Sequence, residues 1–240
     1  MIRPWRRKEV IGGQTLYLGD CMEVMPVLGR FDAVVTDPPY GIGEGALKTR
    51  TRQRSAKSKA LADQRKYVGA EWDDSPATAS HIAAMIGISK HQIIFGGNYF
   101  EGLGPTTCWL VWDKQNGSND FADCELAWTN MQKAVRRICW RWNGMIRKGD
   151  DVREHPTQKP LGVMKWCIEH LPKDAKTILD PFMGSGTTLV ACQRLGRSGV
   201  GIELDPDYFQ IACDRVQKAV DQPDLFIETP TAAATQETLI

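Results

Sequence analysis

The spacing of apolar positions changes several times along the chain, and each change predicts an element. Residues 31–36 (FDAVVT) form a short apolar run rich in β-branched side chains and closed by two prolines. That pattern predicts a buried strand ending in a tight turn. Residues 92–95 and 108–112 carry the same signal. Residues 41–74, by contrast, show little periodicity and much Lys, Arg and Ser. A stretch of that length exceeds an ordinary connection and marks a functional or mobile loop. Ile138, Trp140 and Trp142 alternate with Cys139 and Arg141, which predicts a half-exposed strand with one aromatic and one partly basic face. Leu161, Met164, Cys167, Ile168 and Leu171 recur at helical spacing, with Pro160 suited to the first turn.

The clearest unit follows. Residues 177–179 read as a strand, 180–187 as a Gly-rich turn and 188–195 as a helix. Residues 198–204 are the next strand, and 206–220 a helix with Phe209, Ala212, Val216 and Val220 on one face. This strand-turn-helix-strand-helix series implies a mostly parallel sheet with crossover helices, an α/β fold. The tail after Asp221 is polar and expected to fray.

Composition narrows the class. A hydrophobic share of 42% and a charged share of 25% are ordinary for a globular protein. No apolar run reaches the roughly 20 residues that cross a bilayer, and no apolar stretch follows the basic start, so a cytoplasmic protein without membrane contact is expected. The seven cysteines are scattered without a CxxC pair, which argues against zinc or a disulfide framework and for small buried thiols. Charge is segregated although the formal net charge is only +1. Residues 48–66 hold Lys48, Arg50, Arg52, Arg54, Lys57, Lys59, Arg65 and Lys66 against Asp63 alone. Residues 131–153 hold Lys133, Arg136, Arg137, Arg141, Arg147, Lys148 and Arg153 against Asp150 and Asp151. Two basic stretches on an otherwise acidic body suit a polyanionic partner; solvated charged faces would give the same pattern.

Two segments carry candidate chemistry. The turn Asp180-Pro181-Phe182-Met183-Gly184-Ser185-Gly186 leaves a strand and opens a helix. Glycines there allow close approach of a ligand, and the helix start offers unpaired N–H groups. Glu203 closes the next strand nineteen residues after Gly184, a spacing at which an acid often bonds ribose hydroxyls. Together these point to a nucleoside-containing ligand. The second segment is Asp37-Pro38-Pro39-Tyr40, again at a strand's carboxyl end. The Asp37 carboxylate and the Pro38 carbonyl can each accept a hydrogen bond from one amino group, and Tyr40 can stack on a planar base. Alone, the tetrapeptide also reads as a proline-rich turn with an Asx cap.

Asp37-Pro38-Pro39-Tyr40 resembles the catalytic motif of DNA methyltransferases that methylate exocyclic amino groups. The run from Asp180 to Thr188 resembles their cofactor motif, and His155-Pro156-Thr157-Gln158-Lys159-Pro160 the segment that precedes it in a permuted subgroup. The catalytic motif stands upstream of the cofactor motif, which is similar to the beta class, and the resemblance runs over about residues 18–220. It implies a Rossmann-like S-adenosylmethionine-dependent methyltransferase fold with helices on both faces of the sheet. It implies one methyltransferase domain over 1–220, with a basic loop at 44–74, a short target-recognition insertion at 131–154 and a flexible tail at 221–240.

The same resemblance implies site roles. Asp37, Pro38, Pro39 and Tyr40 would orient and stack the target base. Asp180, Phe182, Gly184, Ser185, Gly186 and Thr187 would hold the methionine part of S-adenosylmethionine, Glu203 the ribose, and Asp20 with Cys21 the adenine. Asp37 borders that pocket, Thr157 and Lys159 would hold the cofactor carboxylate and close it, and Asn98 falls in another cofactor-side loop. Asp20 could instead simply cap a helix over 22–28. Lys48, Arg50, Arg52, Arg54, Lys57, Lys59, Arg136, Arg137, Arg141 and Arg147 would contact double-stranded DNA, with the target base flipped out. No metal is needed. An insertion this short implies a brief or degenerate recognition site, or completion by a second subunit in a homodimer. Asp in the first motif position favours N6 of adenine; cytosine-N4 transfer, in a class that often has Ser there, uses the same geometry. Enzymes that methylate glutamine carry Asn there. A catalytically silent DNA-binding module is the reading from a different class.

Overall fold

The computed structural model describes residues 3–41, 76–116, 122–143, 146–147 and 158–222, the last two residues before 144 and the pair 146–147 by backbone only. The basic residues at 48–66, Thr157, the Arg147 side chain and the tail from 223 lie outside the described residues.

Nine strands form one sheet. They are β1 (Arg7–Ile11), β2 (Gln14–Leu18), β3 (Phe31–Thr36), β4 (Ser89–Phe95), β5 (Leu110–Asp113), β6 (Cys124–Thr129), β7 (Arg136–Cys139), β10 (Thr177–Asp180) and β11 (Ser198–Glu203). Their spatial order is β1-β2-β11-β10-β3-β4-β6-β5-β7. The five central strands from β2 to β4 run parallel, whereas β1 and β6 pair antiparallel with their neighbours. A separate ribbon pairs β8 (Trp142–Asn143) with β9 (Ile146–Arg147).

Alternation along the central strands decides which helices cover which face. Leu16, Leu18, Ala33, Val35, Ile93, Phe95 and Ile178 pack with α3 (Leu161–Glu169), α4 (Thr187–Arg194) and α5 (Pro206–Asp221). The intervening Tyr17, Val34, Ile94, Leu179 and Ile202 pack with α1 (Cys21–Val24) and α2 (Ala79–Ile88). Strands buried on both faces belong to a sheet sandwiched by crossover helices. The α/β fold with a mostly parallel sheet and helices on both faces therefore stands. No helix among the described residues is long and apolar enough to cross a membrane.

Several local expectations change. The alternation over 138–142 does not make one strand: β7 ends at Cys139, Trp140 turns into the core beside α3, and β8 starts at Trp142. Pro160 stands at the N-cap of α3 with φ −61 and ψ 137, so the helix begins after it. Asp20 does cap a helix, accepting from Met22 N at 2.7 Å. That helix is only Cys21–Val24, and a 3-10 turn, Met25–Val27, continues it where Pro26 enters. Five of the seven thiols are buried; Cys124 and Cys139 are exposed.

Candidate active site

The parallel strands deliver their carboxyl ends to one rim of the sheet. From β10 the chain winds outward to β11, and from β3 it winds the opposite way to β4. The switch between β10 and β3 leaves a crevice where two turns diverge, the usual place for a ligand in an open α/β sheet. The Asp180–Gly186 turn leaves β10 there, and Asp37-Pro38-Pro39-Tyr40 leaves β3. Beside them lie Glu203 at the end of β11, Gly19-Asp20 after β2, and Gly96-Gly97-Asn98-Tyr99 after β4.

Thr36 ties the two turns together. Its hydroxyl donates to Asp180 Oδ1 at 2.7 Å, while Thr188 donates to Oδ2 at 2.5 Å and the Phe182 amide to Oδ1 at 3.1 Å. Asp180 is thus buried and turned inward, with burial lifting its pKa to about 6. These bonds let Asp180 shape the turn. Ser185 and Thr187 are also bonded within the protein. Arg215 of α5 donates to the Ser185 carbonyl at 2.6 Å, the Ser185 hydroxyl at 2.8 Å and the Thr187 hydroxyl at 3.0 Å. Their side chains therefore brace the turn from behind.

Glu203 faces the crevice side of the same turn. Its oxygens accept from Gly184 N at 2.9 Å and Asp205 N at 2.8 Å. Desolvation still raises its pKa to about 7. Asp20 is exposed and Cys21 buried, and the Gly19 amide bonds the Glu203 carbonyl at 2.9 Å, so this pair does adjoin Glu203. Burial, together with the Asp20 charge, lifts the Cys21 thiol to about 12, leaving it neutral. Phe182 is half-buried with its ring 5.7 Å from that of His81, and Asn98 is exposed on its turn.

At the other turn, Asp37 is held from both sides. Tyr40 Oη donates to Oδ1 at 2.5 Å, and Lys159 Nζ to Oδ2 at 2.5 Å. The Lys159 side chain is 8% exposed and also lies 2.9 Å from Glu125 Oε2, while Lys114 pairs with Glu125 Oε1 at 2.6 Å. Lys159 thus pairs with two carboxylates of the protein at the rim of the crevice. Burial would depress its pKa, yet Asp37 and Glu125 outweigh that and raise it above the ordinary lysine value. Burial would raise Glu125, but the two lysines hold it down at about 2. Asp37 moves up, because desolvation and the Glu125 charge outweigh Lys159.

The Tyr40 ring stacks on Tyr99 with centroids 5.1 Å apart and planes 17° apart, and meets the edge of Phe100. A Cβ at Gly96 would lie 2.2 Å from that ring, so only glycine fits. Arg136, Arg137 and Arg141 are exposed on and after β7, well apart from this crevice along the sheet. Arg137 reaches Asp113 at 3.4 Å.

Thr36, Tyr99, Lys114, Glu125 and Arg215 were not among the expected site residues. Thr36 could be found from its place directly before Asp37; the others carry no local signal.

A DNA methylase family model, that of N6 and N4 methylases, matches residues 101–214. Over that segment the chain is similar to the N6 and N4 DNA methylases. The Type II methyltransferase M.ScaI of Streptomyces caespitosus is 27% identical to this chain, over 84% of the chain and 81% of the relative. The solved M1.HpyAVI–SAM complex matches with a TM-score of 0.56 at 23% identity, over 85% of this chain and 98% of that one. The cytosine-N4-specific PvuII DNA methyltransferase matches with a TM-score of 0.55 at 14% identity, over 90% and 94%. At those identities the two structures establish a shared fold.

Proposed function

We propose that this protein is a methyltransferase that transfers a methyl group from S-adenosylmethionine to N6 of an adenine flipped out of double-stranded DNA. The observation that carries the reading is the juxtaposition of an acceptor turn, Asp37-Pro38, with a Gly-rich turn at the topological switch of the sheet. The cofactor fits the second turn. Nothing lies within 4 Å of where a Cβ on Gly184 would be, so the backbone there can be approached closely. Gly184 and Gly186, with the half-buried Phe182, would cradle the methionine part, Glu203 the ribose, and Asp20-Cys21 the adenine. Asn98 borders the pocket from β4. When bound, the cofactor supplies a methyl group already activated on a sulfonium.

The protein then has to align a weak nucleophile. An adenine amino lone pair is delocalised into the ring. Asp37 and the Pro38 carbonyl would accept its two N–H bonds, favouring a pyramidal nitrogen and stabilising positive charge as it develops. Pro39 keeps the turn rigid between them and Tyr40. Tyr40 would stack on the base, returning roughly 1–3 kcal/mol of the cost of flipping. Its ring already carries Tyr99 on one face, so the half-exposed Tyr99 is the second aromatic of the base pocket. The surplus proton leaves the nitrogen after transfer. Arg136, Arg137 and Arg141, with the basic residues of 48–66 and Arg147, would hold phosphates, and the short insertion suits a brief site or a homodimer.

Asp at position 37 supports adenine over cytosine. The test is methyl transfer from labelled S-adenosylmethionine to unmodified DNA, followed by mass analysis of nucleosides. N6-methyladenine is expected; N4-methylcytosine would replace the base and keep the site. The D37A variant should bind cofactor within about twofold of the parent and transfer nothing, and retained transfer would defeat the assignment of Asp37.

A further inference from the structure

Lys114, Glu125, Lys159 and Asp37 form a row of alternating charges leading from the antiparallel part of the sheet into the Asp37 turn. Their side chains are 17%, 20%, 8% and 22% exposed, so water screens them weakly. Glu125 sits at the start of β6, whose antiparallel pairing with β4 sets that end at the same rim as Asp37. We propose that Glu125 is a positioning residue for methyl transfer: it shares the Lys159 ammonium with Asp37 and so leaves Asp37 able to accept the target amino group. This rests on the reading of Asp37 given above.

The reasoning is one of competition. An ammonium held by a single buried carboxylate makes a strong charge-assisted bond to it, and an incoming neutral amine must displace that bond. Lys159 donates to Asp37 Oδ2 and, at 3.4 Å, to Tyr40 Oη, and its ammonium lies 2.9 Å from Glu125 Oε2 as an ion pair. Each step away from Asp37 is compensated by Glu125, so the row stays neutral while Asp37 takes a new donor. Lys114 anchors the far oxygen of Glu125 and stops it from collapsing wholly onto Lys159. Charge growing on the methylated nitrogen is met by an Asp37 no longer saturated by its own lysine. The other ionisable neighbours are Asp180, which faces Asp37 from β10, and the neutral thiol of Cys167 near Lys159.

The experiment compares E125Q and E125D with the parent full-length protein. It reads kcat against pH, KM for a DNA duplex, S-adenosylmethionine affinity by calorimetry, and unfolding temperature. E125Q is expected to lose tenfold or more in kcat with cofactor affinity within about twofold. Its acid limb should move to lower pH, because the negative neighbour that favours a proton on Asp37 is gone. E125D keeps the charge on a shorter stem and should lose only several-fold in kcat with the limb unmoved. Parental kcat in E125Q, or a loss with an unshifted acid limb, overturns the proposal. If E125Q does not fold, E125D decides: several-fold loss at unchanged cofactor affinity is expected, and parental kcat overturns it. The D37A control separates failures, since activity there sinks the reading of Asp37 itself, whereas an inactive D37A beside a parental E125Q sinks only the role of Glu125.

Discussion

The buried acids of the crevice make its behaviour depend on pH in a direction that can be worked out. Glu203 titrates near 7 in the fold because desolvation outweighs two backbone donors, against about 4.3 in an unfolded chain. A carboxyl whose folded pKa is raised binds more protons folded than unfolded. Its penalty is absent below about pH 4, grows as pH rises, and levels off above 7. Asp180, near 6, adds to the same trend. The cofactor-free protein should therefore lose on the order of 1–3 kcal/mol between pH 5 and pH 8. Urea unfolding across that window should show the slope, and Glu203→Gln should flatten it. A slope as steep in E203Q as in the parent would mean that the Glu203 carboxyl is not the source. The two turn glycines divide similarly at this scale. A Cβ at Gly186, φ +78, would lie 2.9 Å from the Ala212 Cβ, whereas at Gly184, φ +50, it would enter open space. G184A should cost only the left-handed strain of about 1–2 kcal/mol but weaken cofactor binding tenfold or more. G186A should be destabilised further, because α5 must shift.

Among elements, the β10-α4-β11-α5 unit was legible because its signals are local. Helical periodicity, a Gly-rich turn and a spaced acid all fall within residues 177–220, and bounds agree to within a residue or so. The N-terminal hairpin went unread although Gly12-Gly13 between alternating runs is a two-residue turn signal; the flanking Arg7 and Lys8 masked its period. Asp37, Tyr40, Gly184 and Glu203 were legible from motif order, and the structure gathers them at one rim. The Asp37–Lys159 contact spans 122 residues, and Glu125 joins it only through the antiparallel register of β6 with β4, which no local pattern encodes. Arg215 is a further case: within the α5 period it reads as a solvated charge, yet it fastens the Gly-rich turn to that helix. Removing it strands three acceptors behind the turn. R215M should lose about 2–4 kcal/mol in chemical unfolding, given roughly 1.5–3 for a single hydrogen bond to a charged group. Calorimetry should show weaker S-adenosylmethionine binding as well. Unchanged binding would mean that α4 alone holds the turn in shape.

At the scale of the whole molecule, the sheet separates two tasks. Its parallel centre carries the crevice, and its far edge, β7, carries exposed arginines on a strand that pairs with β5 alone in the sheet. Basic residues on an edge strand discourage pairing with another chain, so they suit solubility as well as DNA. Ionic strength distinguishes the two roles. A phosphate contact releases counterions, and each one lost lowers the salt slope of duplex binding by about 1. Arg136 has no ion pair with an acid among the described residues, whereas Arg137 shares its charge with Asp113 at 3.4 Å. R136A should therefore weaken duplex binding and flatten its salt slope by about 1, leaving cofactor affinity and kcat at saturating DNA close to the parent. R137A should do less, because part of its charge is already neutralised. Equal slopes in all three proteins, measured by fluorescence anisotropy from 50 to roughly 200 mM salt, would confine the β7 arginines to guarding the edge. The electrostatic hold on DNA would then fall to other basic residues of the chain.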